Sequence, residues 1–208
     1  MAQLEIIGIP QSTYVRVVRM VCEEKGVAYD YKPDARPHSP PVDAIHPFGK
    51  VPVMRHGDLA LFESKAIASY IDRSFPGPKV IPEQPRLAAE VEQWVSLVNT
   101  SIDPVMIRDY VLGYIFAKDG KPDRQKIDAA VEKMKMQIGV LDRATAKGHL
   151  VGDGYTLADI NLMPILFSVQ KFDEGDKLMK SAKNLTAYFQ RHAARPSFKN
   201  TMPPPPAK

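Results

Sequence analysis

Ser12 is the first residue whose type and place could do chemistry. It stands between an apolar strand pattern (Leu4, Ile6, Ile7, Ile9) and a helical one, with Pro10 at the junction. A serine there caps the helix. The same position gathers unpaired backbone N–H groups and the positive end of the helix dipole, which favour an anion. The hydroxyl could also donate to a thiolate brought by a ligand. Cap and donor both stand as readings. Dithiol chemistry is not supported, because Ser12-Thr13-Tyr14-Val15 contains no Cys-x-x-Cys. Ser12 also lacks the Gly-x-Ser-x-Gly elbow of a hydrolase nucleophile.

Two further places carry polar groups at element junctions. Val51-Pro52 opens a short apolar run, where proline belongs at a strand start, edge or bulge. A cis bond would turn the Val51 N–H and carbonyl toward an extended peptide, although most X–Pro bonds are trans. Glu63-Ser64 follows a hairpin pattern and precedes a helix, so Ser64 fits the N-cap. A carboxylate could sit at that helix start, and Glu63 could face an ammonium. The alternative is an ordinary capped helix with an acidic start. Thr156-Leu157-Ala158-Asp159 is a capping box and reads as structural.

The elements that must position these residues follow from periodicity. Residues 3–9 read as a buried strand. Val15, Val18 and Cys22 recur at helical spacing, and Gly26 ends that helix. Residues 27–32 read as a second strand, parallel to the first through a right-handed crossover. Residues 33–49 are proline-rich loop with one helical turn near 42–45. Val51–Arg55 and Leu59–Phe62 form a hairpin around His56-Gly57-Asp58. Residues 63–75 then form a helix. The first half is therefore βαβ followed by ββα. Residues 76–85 read as a linker, since 74–86 hold four prolines and a glycine. Beyond it the patterns are helical: 86–118, 123–147, the apolar run from 156, and 182–194. The expected domains are 1–75, an α/β unit, and 86–200, an all-α unit, with 201–208 a mobile tail.

Composition excludes several functions. The net charge of +4 is spread over both halves, unlike the basic face of a nucleic-acid binder. No apolar run reaches the roughly 18 residues of a membrane helix, and the start of the chain lacks a secretory signal pattern. The single cysteine, Cys22, allows no intrachain disulfide and reads as a buried thiol. The five histidines include no His-x-x-x-His pair. These features point to a cytoplasmic protein with no metal, membrane or nucleic-acid partner.

Taken in order, Ser12 with Arg16, HPFGKVP (46–52), HGDLALFESKAIASYI (56–71) and DGYTLADI (153–160) resemble a cytosolic glutathione transferase over nearly the whole chain. PQSTYVRVV and Asp103-Pro104-Val105 are similar to the serine-type phi class. The resemblance implies a thioredoxin-like N-terminal domain that binds glutathione, an all-α C-terminal domain, and a twofold homodimer. It implies that Ser12 holds the glutathione thiolate. Val51, before a cis Pro52, would pair with the cysteinyl backbone. Glu63 and Ser64 would take the γ-glutamyl ammonium and carboxylate, and His38 and Lys50 the glycine carboxylate. Arg16 would brace the first helix. An apolar electrophile would bind between the domains at Tyr14, Met106, Tyr110 and Tyr114; the last three recur every fourth residue. The expected activity is detoxifying conjugation of glutathione to small hydrophobic electrophiles. Glutathione-dependent peroxide reduction and non-catalytic ligand binding are the alternatives. His46 and Lys50 stand where the phi pattern has Asn and Gln, and Pro37-His38 where it has His-Lys, so the glycine end of the site departs most.

Overall fold

A computed structural model describes residues 3–116 and 121–205. Strand β1 (Leu4–Ile7) is followed by α1 (Thr13–Lys25), β2 (Asp30–Lys32), α2 (Pro40–Asp43), β3 (Val53–His56), β4 (Leu59–Phe62) and α3 (Ser64–Ser74). The sheet order is β2-β1-β3-β4. β1 pairs with β2 in parallel, and β3 runs antiparallel to β1 and β4. This is the expected βαβ-ββα arrangement of a thioredoxin-like domain. Register explains the burial: Ile6 lies opposite Met54 in the ladder and both are fully buried. The hairpin turns on Gly57 at φ +63°, a left-handed conformation that glycine adopts without penalty. α1 buries Val15, Val18, Met20 and Cys22 and ends on Gly26, also left-handed, whose N–H returns to the Glu23 carbonyl.

The chain divides into two compact units. One comprises the described residues up to Pro82 together with those from Ala194 on; the other is Glu83–Ala193. This corrects the expected boundary at 200 and the reading of Thr201 as the start of a mobile tail. The short helix α10 (Pro196–Asn200) packs on α1 in the first unit, and Thr201 is fully buried. The cause is Arg16, itself only 2% exposed. Its Nε donates to the Thr201 carbonyl at 3.1 Å and an Nη to that of Phe198 at 3.4 Å, while the guanidinium lies 4.6 Å from the Phe198 ring centroid. Arg195 adds a pair to Glu24 at 2.6 Å. Residues 206–208 lie outside the described residues.

The proline-rich stretch after α3 is tied down. Asp72, buried, accepts from the Val80 N–H at 2.9 Å and faces Lys25 Nζ at 3.4 Å; Lys25 also donates to the Pro78 carbonyl.

The second unit is helical, as expected. It contains α4 (Pro85–Leu97), α5 (Leu112–Ile115), α6 (Arg124–Ala144), α7 (Leu157–Val169), α8 (Asp173–Ser181) and α9 (Lys183–Ala193). The long helix expected over 86–118 is not uniform. Val98–Ile102 and Pro104–Val111 are wide π turns, and Pro104 interrupts the ladder because it has no N–H; residues 117 and 118 lie outside the described residues. α7 is apolar all round and almost wholly buried. Among the described residues, no helix is long and apolar enough to cross a membrane.

Candidate active site

Ser12 caps α1. Its Oγ accepts from the Val15 N–H at 3.3 Å, and its backbone N–H donates to the Ile9 carbonyl at 3.2 Å. Capping uses a lone pair of the hydroxyl oxygen, not its proton. A capping serine therefore keeps an O–H to donate, and cap and donor do not exclude each other.

Gly8 brings the next residue alongside. A Cβ there would lie 2.6 Å from Val15 Cγ2 and 2.9 Å from Val51 Cβ, and φ is +148°. Only glycine lets the end of β1, the start of α1 and the loop before β3 approach this closely. The Val51-Pro52 bond is cis. Val51 packs on a small cluster of Ile7, Val42 and Val53, which fixes the loop against the sheet.

The far end of the site starts α3. Ser64 is its first residue, so the cap position falls to Glu63 rather than to Ser64 as the sequence implied. Glu63 has φ +67°, and its side chain is 67% exposed. Ser64 is buried with its hydroxyl at the helix N-terminus. His46 lies beneath. Its Nδ1 accepts from the Phe48 N–H at 3.0 Å, its Nε2 is 3.6 Å from Glu63 Oε1, and its ring is 4.9 Å from that of Phe62. The sequence marked His46 only as a departure from the family pattern. Nothing local tied it to Glu63, 17 positions later.

His38 and Lys50 sit on the loop between β2 and β3. His38 has φ +59°, its N–H donates to the Gly49 carbonyl at 2.9 Å, and its Nδ1 is 3.7 Å from Asp43. A Cβ on Gly49 would lie 2.2 Å from His38 Nδ1, so the imidazole ring lies close against the glycine backbone. Lys50, next in sequence, is exposed.

The residues expected at the electrophile fall in different units. Tyr14 is half-buried in the first turn of α1. In the second unit Met106 and Tyr110 are fully buried. Tyr110 accepts from the Gly175 N–H at 2.7 Å and donates to Glu174 at 3.3 Å. Tyr114 stacks on Phe172 at 4.2 Å and donates to Glu174 at 2.6 Å. Arg124 donates to both Tyr114 and Glu174 at 2.9 Å. Burial pushes the Glu174 carboxyl up, but the bonds from Tyr114, its own backbone and Arg124 outweigh that and hold it at about 2. Burial raises the phenols of Tyr110 and Tyr114, with Glu174 adding to the effect. Both hydroxyls are thus committed to holding α8.

The capping box at Thr156 has the role read from sequence. Asp159, fully buried, accepts from the Thr156 N–H at 2.9 Å and Oγ1 at 3.1 Å, from the Leu150 N–H at 2.9 Å, and from Tyr188 at 2.9 Å. His149 and His192 bring ring nitrogens within 4.8 Å of that carboxylate. Its two oxygens already take two hydrogen bonds each, which makes it a helix anchor. Cys22 is buried, and burial first, then the Glu23 charge, pushes its thiol up to about 12. It is not a nucleophile.

A four-stranded thioredoxin-like domain with a serine at the first helix start, joined to a helical unit, defines a class of glutathione-binding protein. The comparisons with known proteins agree. Residues 6–79 match the family model "Glutathione S-transferase, N-terminal domain", and residues 93–196 match "Glutathione S-transferase, C-terminal domain". Maize glutathione S-transferase 3 is 30% identical over 229 residues, covering 100% of this chain and 99% of its own. Poplar (Populus trichocarpa) glutathione transferase F7 superposes with a TM-score of 0.85 at 27% identity, over 95% of this chain and 97% of that one. Maize glutathione S-transferase I, solved with an atrazine–glutathione conjugate, gives 0.85 at 25%, over 96% of each chain. The chain belongs to the glutathione S-transferase family, and its similarity is to the plant phi (F) class.

Proposed function

We propose that this transferase ionises glutathione against Ser12 and delivers the thiolate to small hydrophobic electrophiles. The observation that carries this reading is the Ser12 hydroxyl: it caps α1 through a lone pair and keeps its proton to donate. A free thiol has a pKa of about 8.5 and is a few per cent ionised at pH 7. Each unit of depression needs about 1.36 kcal/mol of preference for the anion. One hydroxyl bond and a helix N-terminus together supply about two units.

Carried along the site, Val51 pairs with the cysteinyl backbone of glutathione. Glu63 takes the γ-glutamyl ammonium and Ser64 the carboxylate, at the start of α3. His38 and Lys50 take the glycine carboxylate. Lys50 acts there as a point charge on a long flexible stem, and the His38 backbone is held by its bond to Gly49. Tyr14, two residues from Ser12, offers an aromatic surface to the electrophile that approaches the sulfur. The detoxifying role, the cytoplasmic location and a twofold homodimer go with this reading. The single buried cysteine suits a reducing compartment.

Product analysis tests the activity. Purified protein with glutathione and a chlorinated nitroarene should yield the thioether and chloride, with turnover abolished by an S-alkyl glutathione. Reduction of an organic hydroperoxide to glutathione disulfide without thioether formation would replace conjugation with the peroxidase alternative. Binding of glutathione with neither product would make the protein a carrier.

A further inference from the structure

We propose that His46 is a positioning residue for glutathione, which aims the Glu63 carboxylate at the γ-glutamyl ammonium. The proposal deepens the reading of Glu63 given above and rests on it.

The ring of His46 has its orientation fixed from several sides. Its backbone N–H donates to the Val42 carbonyl at 2.8 Å, and its carbonyl accepts from the Gly49 N–H at 3.0 Å. The side chain is 3% exposed and lies 4.9 Å from the Phe62 ring. The Phe48 N–H donates to Nδ1 at 3.0 Å. Nδ1 is therefore the acceptor, and in the neutral imidazole the proton must sit on Nε2. That N–H faces Glu63 Oε1 at 3.6 Å, just beyond hydrogen-bond length. A small rotation of the exposed Glu63 side chain closes the gap.

Glu63 needs such a guide. Its side chain is 67% exposed, its backbone is left-handed, and it makes no side-chain bond to the helix it precedes. A free glutamate at the surface spreads over many rotamers, and fixing it costs entropy on binding. A donor on one carboxylate oxygen selects the rotamers near His46 and leaves the other oxygen for the ligand. The protein thus spends less ordering Glu63 when glutathione arrives.

Two substitutions separate this role from plain packing. His46→Asn keeps an acceptor where Nδ1 lay, so Phe48 stays bonded, but is too short to reach Glu63. His46→Gln reaches as far as Nε2 and keeps a donor for Glu63, while giving up the Phe48 bond. The readout is the Kd, by titration calorimetry, for glutathione and for the analogue whose γ-glutamyl ammonium is replaced by hydrogen. Their ratio measures what the ammonium contributes. Wild type should favour glutathione by about tenfold or more, the scale of a hydrogen-bonded charge pair. His46→Asn should lower that ratio about fivefold with little change in affinity for the analogue, and His46→Gln should hold it near wild type. A merely structural His46 would weaken both ligands alike. A ratio unchanged in His46→Asn overturns the proposal while leaving Glu63 as the ammonium contact. A wild-type ratio near one overturns the Glu63 reading and this proposal with it.

Discussion

Arg16 is expected to carry more of the stability of the glutathione-binding unit than any exposed charge. It ties α1, whose start holds Ser12, to the returning C-terminal segment. Replacing it with alanine removes two hydrogen bonds to the Thr201 and Phe198 carbonyls and the contact with the Phe198 ring. A buried acceptor left without a donor costs about 1–3 kcal/mol, and a desolvated cation–π contact about 2 kcal/mol. Full exposure of either carbonyl to water is prevented by burial of Thr201 and Phe198. Taking the low end of that range for each of the two carbonyls, the sum for Arg16→Ala is about 4 kcal/mol. For a chain of this size each kcal/mol moves Tm by about 2–4 °C, so the midpoint should fall by about 8–16 °C. Arg16→Lys keeps the charge but cannot bridge two carbonyls with a planar fork, and should recover about half. Differential scanning calorimetry and urea unfolding read both. At a temperature where the variant is folded, its affinity for glutathione should stay within about threefold of wild type, because the guanidinium acts through the Thr201 and Phe198 carbonyls of the returning segment. A shift below about 2 °C would refute the bracing argument. A full-stability variant with no glutathione binding would move Arg16 into the site.

Other consequences can be checked separately. The Glu174 carboxyl is held at about 2, below its ordinary 4.5. A depressed carboxylate stabilises the fold above its unfolded pKa, and that contribution is lost as pH falls from about 4.5 through about 2. Glu174→Gln should therefore unfold at lower urea than wild type at pH 6, and the gap should shrink toward pH 3; a gap constant with pH would contradict the assignment. Cys22, with its thiol pushed up to about 12 by burial, should not react with an aromatic disulfide reagent at pH 8 in the native protein. It should react with one equivalent in urea; rapid native labelling would show that α1 opens.

The strands, the parallel first pair and the hairpin were legible because each element carried its own signal, whereas the antiparallel β1–β3 ladder that joins them had none. Gly26 and Gly57 mark a helix end and a hairpin turn, and apolar alternation marks the strands. Ser12, Val51 and Ser64 were legible as junction residues, since helix starts and proline-led strands have local rules. What escaped was non-local. The return of residues 194–205 to the first unit depends on a buried Arg16 finding carbonyls some 180 positions away. Arginine in an amphipathic helix reads equally well as a solvated side chain. The helix starting one residue early at α3, with Glu63 left-handed, reflects a tertiary turn that overrides the capping preference of serine. The spacing of Met106, Tyr110 and Tyr114 suggested one shared face, but not that Glu174, sixty positions on, engages both tyrosine hydroxyls or that Met106 and Tyr110 are fully buried. The π turns have no pattern in the sequence beyond Pro104.

The central claim is that Ser12 holds a thiolate. The direct measurement is the ultraviolet absorbance of thiolate on adding glutathione to the protein, from about pH 5 to 9, for wild type, Ser12→Ala and Ser12→Asp. Wild type should titrate about two units below free glutathione. Ser12→Ala should lose most of that depression and about 1 kcal/mol of stability with the cap. Ser12→Asp should keep the cap and its stability, since aspartate caps as well as serine, yet lose the thiolate to charge repulsion. Thiolate absorbance unchanged in both variants, with glutathione still bound, would contradict the account and leave Ser12 a helix cap alone.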